Sequence, residues 1–191
     1  MAAAIPTWRG VIFTSNFNEG RAVARLAEIM ALEQGSSLAT ARQIRTAAAL
    51  HDIGKQKIPA SILNKPGKLT RQEFEVVKTH TVLGAKMLAN FQGELGEMAR
   101  ITALYHHEWH NGCGYWGKRA DTLPYYVSII AIADVFTALI CERPYKRAWP
   151  PGEVMEYIQN QSGTQFSPAL VDFFLSMVRG DSRVPALFDG R

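Results

Sequence analysis

The residues with the clearest chemical potential lie in the segment AALHDIGK, residues 48–55, where an apolar, helix-like run ends in polar side chains. The imidazole of His51 and the carboxylate of Asp52 are common ligands of divalent metal ions, and the ammonium group of Lys55 suits a phosphoryl oxygen. The alternative interpretation is an ordinary helix end whose polar residues face water. The remaining histidines help to decide between the two.

The chain has five histidines, and four of them fall at or beside the predicted ends of three different helices. Asp134 adds a carboxylate inside the most apolar segment, where an unpaired carboxylate is unfavourable and needs a cation or strong hydrogen-bond donors. Metal sites in helical bundles are built from side chains of facing helices that converge on one point. The His51-Asp52 pair, the His106-His107 pair and the core aspartate together predict a metal centre.

The donor types limit which metal this centre would bind. Imidazoles mixed with carboxylates, without a thiolate, suit iron, manganese or zinc. The candidate ligands are more numerous than the ligands that one tetrahedral ion needs. Asp52 can bridge two ions with its two oxygens. Two ions about 3.5–4 Å apart would generate a bridging hydroxide for an in-line displacement at phosphorus. Lys55 would then neutralise a phosphoryl oxygen; the alternative is a plain surface lysine.

The elements that must position these residues are helices, because apolar residues recur with a helical period almost throughout. A glycine-rich loop is expected at 110–123, and few segments resemble strands, so the predicted class is all-α. Capping residues mark three of the predicted helices: one from a cap at Ser36 or Ser37 to His51-Asp52, one from a Thr70–Glu73 capping box to His80, and one near 168–179. This last helix has Ser167 as its cap, Pro168 as its first residue and Gly180 beyond its end. Further helices are predicted near 19–34, near 94–107, from Pro124 through Asp134, and near 153–161.

Length and composition indicate one globular domain. The chain has 191 residues, of which 47% are hydrophobic and 20% charged. We expect an N-terminal extension at 1–17, a catalytic domain at 18–180 and a C-terminal tail at 181–191.

Charge, cysteines and hydropathy set expectations about location and partners. The net charge of +4 comes without a long basic run, so no duplex nucleic acid is expected as a partner. No apolar run approaches the roughly 20 residues of a membrane span, so no membrane contact is expected. Cys113 and Cys141 form no disulfide framework, and there is no secretory signal. The expected location is the cytoplasm.

Five blocks resemble, in order and spacing, the HD-GYP family of bacterial cyclic-di-GMP phosphodiesterases: HDIGK, ILNKPGKLTRQEFEVVKTH, HHEWHNGCGYWG, IADVFTAL and RPYKRA. The resemblance extends over residues 19–170. It implies an HD-superfamily helical bundle around a centre of two or three metal ions, commonly iron or manganese. It also implies hydrolysis of cyclic di-GMP to pGpG and, in some members, GMP.

The resemblance also assigns expected roles to residues. Asp52 and Lys55 would be catalytic; Lys55, Tyr115, Arg143 and Lys146 would contact the substrate. Tyr105, Trp109 and Trp116 are candidates to stack a guanine, although core packing explains each equally well. The implied metal ligands are His51, Asp52, His80, His106, His107 and Asp134.

The chain departs from the family pattern at four positions. Glu19 stands where the family has an early histidine ligand, and it is either a substitute ligand or a glutamate favoured by the helix dipole. Ser15 replaces a glutamate of three-metal members, which favours two metals. Trp116 replaces the proline of the GYP signature, and Thr137 replaces a second aspartate.

Two other functions remain as alternatives. The first is another HD phosphohydrolase, which acts on a different nucleotide. The second is a degenerate domain without turnover, which binds either cyclic di-GMP or, through the 110–123 loop, a diguanylate cyclase partner. Glu19 and Trp116 favour degeneracy, whereas the six histidine and aspartate ligands and Lys55 favour an enzyme.

Overall fold

The chain is helical throughout the part that the structure describes. The structure, a computed structural model, describes residues 19–142, 147–180 and 183–186. Within those ranges there is no strand, only an isolated bridge between Ser162 and Phe166, so the predicted all-α class is confirmed. The α-helices are α1 (Glu19–Glu33), α2 (Leu38–Ala49), α3 (Ala60–Leu63), α4 (Arg71–Lys78), α5 (His80–Met87), α6 (Gly93–Tyr105), α7 (Tyr125–Ile140), α8 (Pro151–Asn160), α9 (Pro168–Gly180) and α10 (Arg183–Ala186).

Helix α7 lies at the centre of the core. Nine of its 16 residues are buried, and it packs against α1, α6 and α8. The ring of Phe136 meets that of Phe174 on α9 edge-on, with centroids 5.2 Å apart. Burial of this apolar surface, at about 25 cal/mol per Å², anchors the helix that carries Asp134. Of the helices in the described ranges, α7 included, none has the length and apolar character needed to cross a bilayer.

Small side chains let α2 pack closely against α1 and α6. Ala48 on α2 and Ala103 on α6 are fully buried. The C-terminal ends of these two helices consequently meet, and the rings of His51 and His106 lie 4.9 Å apart. Close packing of two helices therefore unites the two histidine-rich segments.

The helix starts predicted from capping residues are confirmed, whereas the helix predicted near 153–161 begins at Pro151. Ser37 caps α2, since its hydroxyl accepts a hydrogen bond from the backbone N–H of Thr40 at 3.0 Å. Thr70 and Glu73 form the capping box of α4. Pro168 is the first residue of α9, and the Ser167 hydroxyl accepts from the backbone N–H of Leu170.

Several predicted ends are wrong by a few residues. Helix α2 ends at Ala49 rather than at the His51-Asp52 pair, and α9 includes Gly180. The single helix predicted to carry His80 is two helices, α4 and α5, which are separated at Thr79. At this break, the Thr79 hydroxyl and the His80 ring donate to carbonyls three residues earlier, which competes with continued helical hydrogen bonding.

The predicted C-terminal tail also contains structure. Helix α10 lies in this segment, and Val184 is fully buried in the hydrophobic core. The division of the chain into an extension, a domain and a tail stays a prediction.

A 3-10 helix, Ile53–Lys57, follows the His51-Asp52 pair and packs directly on α5. A Cβ atom on Gly54 would lie 1.9 Å from the carbonyl oxygen of His80. Only glycine therefore permits the approach that brings Asp52 and Lys55 to His80.

Gly54→Ala is expected to lower the free energy of unfolding by about 1–3 kcal/mol, because backbone atoms must move apart. Gly152→Ala is the matched control, since its added Cβ meets nothing within 4 Å. Urea unfolding of both variants measures the difference. Equal stability of the two variants would contradict the close packing.

Candidate metal centre

Six side chains from distant parts of the sequence converge near the ends of α2 and α6, the start of α5 and Asp134 of α7. Four of these residues each offer one ligand atom, and the four atoms lie within 4.8 Å of one another. Of the other two, His51 contacts Asp52, and Asp134 contacts His51. The six are His51, Asp52, His80, His106, His107 and Asp134.

The carboxylate of Asp52 lies between two groups of donors. Its Oδ1 atom is 3.2 Å from Nε2 of His80 and 3.7 Å from Nε2 of His106. Its Oδ2 atom is 3.3 Å from Nε2 of His51, which in turn lies 3.6 Å from Oδ1 of Asp134. We call His80, His106 and His107 the His80 group, and His51 with Asp134 the His51 group. Asp52 therefore presents one oxygen to each group.

Backbone carbonyls at helix ends orient three of the imidazoles. Nδ1 of His51 lies 2.6 Å from the Ala48 carbonyl oxygen, and Nδ1 of His80 lies 2.7 Å from that of Val77. Nδ1 of His106 likewise meets the carbonyls of the last turn of α6, at 3.1 and 3.2 Å. A carbonyl oxygen has two lone pairs, so one in the last turn of a helix can accept the Nδ1–H beside its backbone partner. This fixes the orientation of each ring and points its Nε2 towards Asp52, as in metal-bound histidines.

The interior of the cluster lacks hydrogen bonds that its polar atoms would need. His51 and His106 are buried, and His80 is fully so. Nε2 of His51 and Oδ1 of Asp52 are buried atoms that make no hydrogen bond with any residue the structure describes. Buried polar atoms without partners are unfavourable, and a cation between them would remove this penalty.

The electrostatics of the cluster also favour a cation. Burial alone would lower the pKa of His51, but the carboxylates of Asp134 and Asp52 outweigh it and raise this pKa to about 10. Burial, followed by the nearby charge of His106, lowers the pKa of His107 to about 2. The two carboxylates thus draw positive charge to the His51 group, whereas His107 stays a neutral imidazole, the form that binds metal.

The donor set fits a hard or borderline divalent ion. It consists of imidazole nitrogens and carboxylate oxygens, and neither Cys113, which is exposed, nor Cys141, which is buried in the hydrophobic core, belongs to it. Iron, manganese and zinc accept such donors. The cluster can therefore bind metal.

Lys55 lies at the solvent side of the cluster. Its ammonium nitrogen contacts Oδ2 of Asp52, and 42% of its side chain is exposed. The 3-10 helix places it one turn beyond Asp52. Its charge is therefore accessible to a ligand that approaches the Asp52 carboxylate.

The amino-acid sequence is similar to a known domain family and to known proteins. Residues 13–170 match the HD domain family. The chain belongs to the HD domain family. This HD domain is 40% identical over 154 residues to the cyclic di-GMP phosphodiesterase response regulator RpfG of Xanthomonas campestris pv. campestris, a match that covers 80% of this chain and 41% of RpfG. It is 39% identical over 154 residues to 3'3'-cGAMP-specific phosphodiesterase 2 of Vibrio cholerae, covering 80% and 30% of the two chains.

A solved structure gives the same fold. The HDG"Y"P protein Bd1817 from Bdellovibrio bacteriovorus superposes with a TM-score of 0.68 at 17% identity, over 85% of this chain and 52% of that one. The HD domain spans about two-fifths of the length of RpfG and less of the Vibrio protein. The family resemblance found in the sequence is confirmed.

The glycine-rich loop of the HD domain brings the aromatic ring of Tyr115 beside two histidines of the candidate metal centre. The ring of Tyr115 lies 4.4 Å from that of His107 and 6.4 Å from that of His80, centroid to centroid. Burial, and then the charges of Asp52 and Asp134, raise the pKa of Tyr115 to about 12, so the phenol keeps its proton. Tyr115 thus packs against His107 and His80 of the His80 group.

Glu108 fixes this loop, and the sequence analysis did not identify it. Its side chain is buried, and its two carboxylate oxygens accept the backbone N–H groups of Trp116 and Lys118 at 2.7 and 2.8 Å. A signal was present, because a glutamate beside a histidine pair and a glycine-rich loop can satisfy backbone donors that such a loop leaves free. A Cβ on Gly114 would lie 2.5 Å from Cα of Glu108, so the loop folds back tightly on this residue.

Glu108→Gln is expected to lower the free energy of unfolding by about 1–3 kcal/mol, because the amide nitrogen would face one of the two N–H donors. Glu94→Gln, on the exposed first turn of α6, is the control and should change stability little. Thermal and urea unfolding measure both. Indistinguishable variants would show that the carboxylate does not hold the loop.

Four further positions that the sequence singled out are Thr137, which the structure describes, and Glu19, Arg143 and Lys146, whose side chains it does not describe. Thr137 is fully buried, and its hydroxyl makes no hydrogen bond within the described part of the chain. Glu19 begins α1, but its side chain lies outside the described residues, as do Arg143 and Lys146. Their predicted roles, and the choice between two and three metals that depends on Ser15, stay predictions.

Proposed function

We propose that this HD domain is a metal-dependent phosphodiesterase that hydrolyses cyclic di-GMP to pGpG, and onward to GMP if the linear product rebinds. The observation that carries the proposal is the position of Asp52, whose two oxygens face two separate groups of donors. One carboxylate between two groups suits a pair of ions rather than a single ion. The name of RpfG supports cyclic di-GMP as the substrate.

In this proposal the ligands are shared between two divalent ions. The His80 group and Oδ1 of Asp52 would hold one ion, and the His51 group and Oδ2 of Asp52 the other. Glu19 is a further candidate for the second position. Iron or manganese fits the donors best, and zinc is the alternative. Such ions, when bound, supply Lewis-acid stabilisation of phosphoryl oxygens and an activated water molecule.

The other residues of the site would bind and orient the diester. Lys55 is exposed beside Asp52 and would donate to a nonbridging phosphoryl oxygen, where charge increases in the transition state. Tyr115 would limit access of bulk water to the His80 group and contact the substrate. Arg143 and Lys146 would hold a phosphate, because a guanidinium and an ammonium are the usual donors to this group.

A second candidate substrate is 3'3'-cGAMP, which is favoured by the similarity to the Vibrio enzyme. The two dinucleotides share the 3'–5' diester and differ in one base. Purified protein, prepared without oxygen and loaded with ferrous iron or manganese, should therefore be compared on cyclic di-GMP, 3'3'-cGAMP and cyclic di-AMP. Chromatography would identify the products.

Faster formation of pGpG than of any other product supports the proposal. Preference for 3'3'-cGAMP would correct the substrate, and tight binding without any product would support the alternative of a binding domain. The double variant His51→Ala/Asp52→Ala is the control and should lose both metal and turnover. The cytoplasmic location and a diguanylate cyclase partner at the 110–123 loop stay predictions.

A further inference from the structure

Beside the metal centre, a group of aromatic side chains faces solvent. The side chains of Phe74 on α4 and Trp116 in the loop are 42% and 44% exposed. Tyr115 precedes Trp116 in the loop, and its ring is 5.7 Å from that of Phe74 and 4.4 Å from that of His107. We call Phe74, Tyr115 and Trp116 the aromatic ledge. It runs from the His80 group out to the surface.

The ledge is held firmly, although two of its rings are exposed. The indole N–H of Trp116 donates to the hydroxyl of Thr81 at 3.0 Å, and its backbone N–H donates to Glu108. Thr81 is buried directly after His80 on α5. The Trp116 ring is therefore tied to both segments that supply the His80 group, and its orientation is fixed relative to the metal centre.

A cation lies within the ledge. The ammonium of Lys78 is 5.4 Å from the centroid of the Trp116 ring and 5.6 Å from that of Tyr115. Glu75, 3.2 Å from the same ammonium, partly balances its charge. A cation over two rings stabilises them where they are, and it adds positive charge near a site proposed for an anion.

We propose that the aromatic ledge stacks a purine base of the cyclic dinucleotide while the diester lies at the metal centre. An exposed, fixed indole offers a flat apolar face, and every base has a complementary face. The proline that the family has at this position could not donate an indole hydrogen bond or offer an aromatic ring. The inference rests on the proposed function, and it makes Trp116 a residue that determines affinity rather than a defect of the loop.

The structure distinguishes Trp116 from the other stacking candidates. Tyr105 and Trp109 are half-buried, whereas Trp116 is 44% exposed. Trp116 belongs to the ledge that reaches His107. The competing explanation is that Trp116 only pins the loop through Thr81. A purely structural role would affect all substrates equally, whereas stacking would affect only substrates that carry a base.

The test compares two diesters on manganese-loaded protein. Cyclic di-GMP carries bases, whereas ethylene phosphate, a strained cyclic diester whose hydrolysis is followed by phosphorus NMR, has no base and no other aromatic ring. Trp116→Leu is expected to raise KM for cyclic di-GMP about tenfold, in line with the strength of base–aromatic stacking, and to leave kcat within about twofold. The same change should leave kcat/KM for the small diester within about twofold. Trp116→Phe keeps a ring and should recover most of the affinity.

Phe74→Leu provides a second variant at an exposed position that does not endanger folding. It should raise KM for cyclic di-GMP severalfold. Phe91→Leu is the matched control, because Phe91 is 43% exposed and lies outside the ledge, so its KM should not change.

The results separate this inference from the proposed function. Unchanged KM for cyclic di-GMP in Trp116→Leu and Phe74→Leu, or equal losses on both diesters, would overturn the ledge and leave the phosphodiesterase standing. A wild-type protein that cleaves the small diester but neither cleaves nor binds cyclic di-GMP would overturn both.

Discussion

Asp52→Asn should remove bound metal from both groups of donors and reduce cyclic dinucleotide turnover at least about a thousandfold, or about 4 kcal/mol in the barrier. The reason is that each carboxylate oxygen faces a different group of donors, so an amide loses the negative charge beside both. Its NH₂ group would also point a donor at one of them. Metal content per chain and initial rates on the same preparation measure the effect.

Asp121→Asn is the matched control for this prediction. The Asp121 carboxylate is 46% exposed and pairs with Arg119 at 2.7 Å, within the 110–123 loop. This variant should keep its metal and its rate. If Asp52→Asn binds as much metal as wild type and turns over at a similar rate, the assignment of Asp52 as the shared ligand is wrong.

Lys55→Met should leave the metal content unchanged and lower kcat/KM for cyclic di-GMP about 100- to 1,000-fold. Removing one donor to a developing oxyanion has effects of this size, about 2.7–4 kcal/mol. Lys55 is at the exposed side of Asp52 and is a candidate to contact the phosphodiester rather than the metal. Steady-state kinetics with parallel metal analysis measures this effect.

Lys57→Met is the control, since Lys57 is an exposed lysine at the end of the same 3-10 helix. Its kinetics should equal those of wild type. Loss of metal in Lys55→Met would show that the lysine acts by holding Asp52. A Lys55→Met protein as active as Lys57→Met would show that the ammonium does not contact substrate.

Much of the fold was accessible from the sequence, because local signals decide where helices begin. Ser37, the Thr70–Glu73 capping box and Pro168 each mark a helix start in the structure. The long apolar run around Asp134 predicts the central helix α7. Helix ends were less accessible, since the break at Thr79 depends on side-chain hydrogen bonds that compete with the backbone.

The sequence predicts which residues make up the candidate site, but it does not predict how they are arranged within it. Paired histidines and a core aspartate indicate a metal centre by residue type alone. The placement of the Asp52 carboxylate between His51 and His80 depends on the close approach of Gly54 to α5. That contact is a tertiary one, so no local pattern reveals it.

The loop that carries Tyr115 shows the same limit. Trp116 meets Thr81 across 35 residues of sequence, and Glu108 accepts two backbone N–H groups of the loop. The sequence identified Trp116 as a departure from the family signature and as a residue that favours degeneracy. The structure instead gives the loop two side-chain attachments. A proline at position 116 has neither an indole nor a backbone N–H, so it would lose the first and weaken the second.

The central claim is that Asp52 joins two metal ions. The most direct test is anomalous scattering at the manganese edge from crystals of protein loaded with manganese without oxygen. We expect two peaks about 3.5–4 Å apart, with the Asp52 carboxylate between them, one beside the His80 group and one beside the His51 group. A single peak, or peaks that do not touch Asp52, would contradict this account of the site.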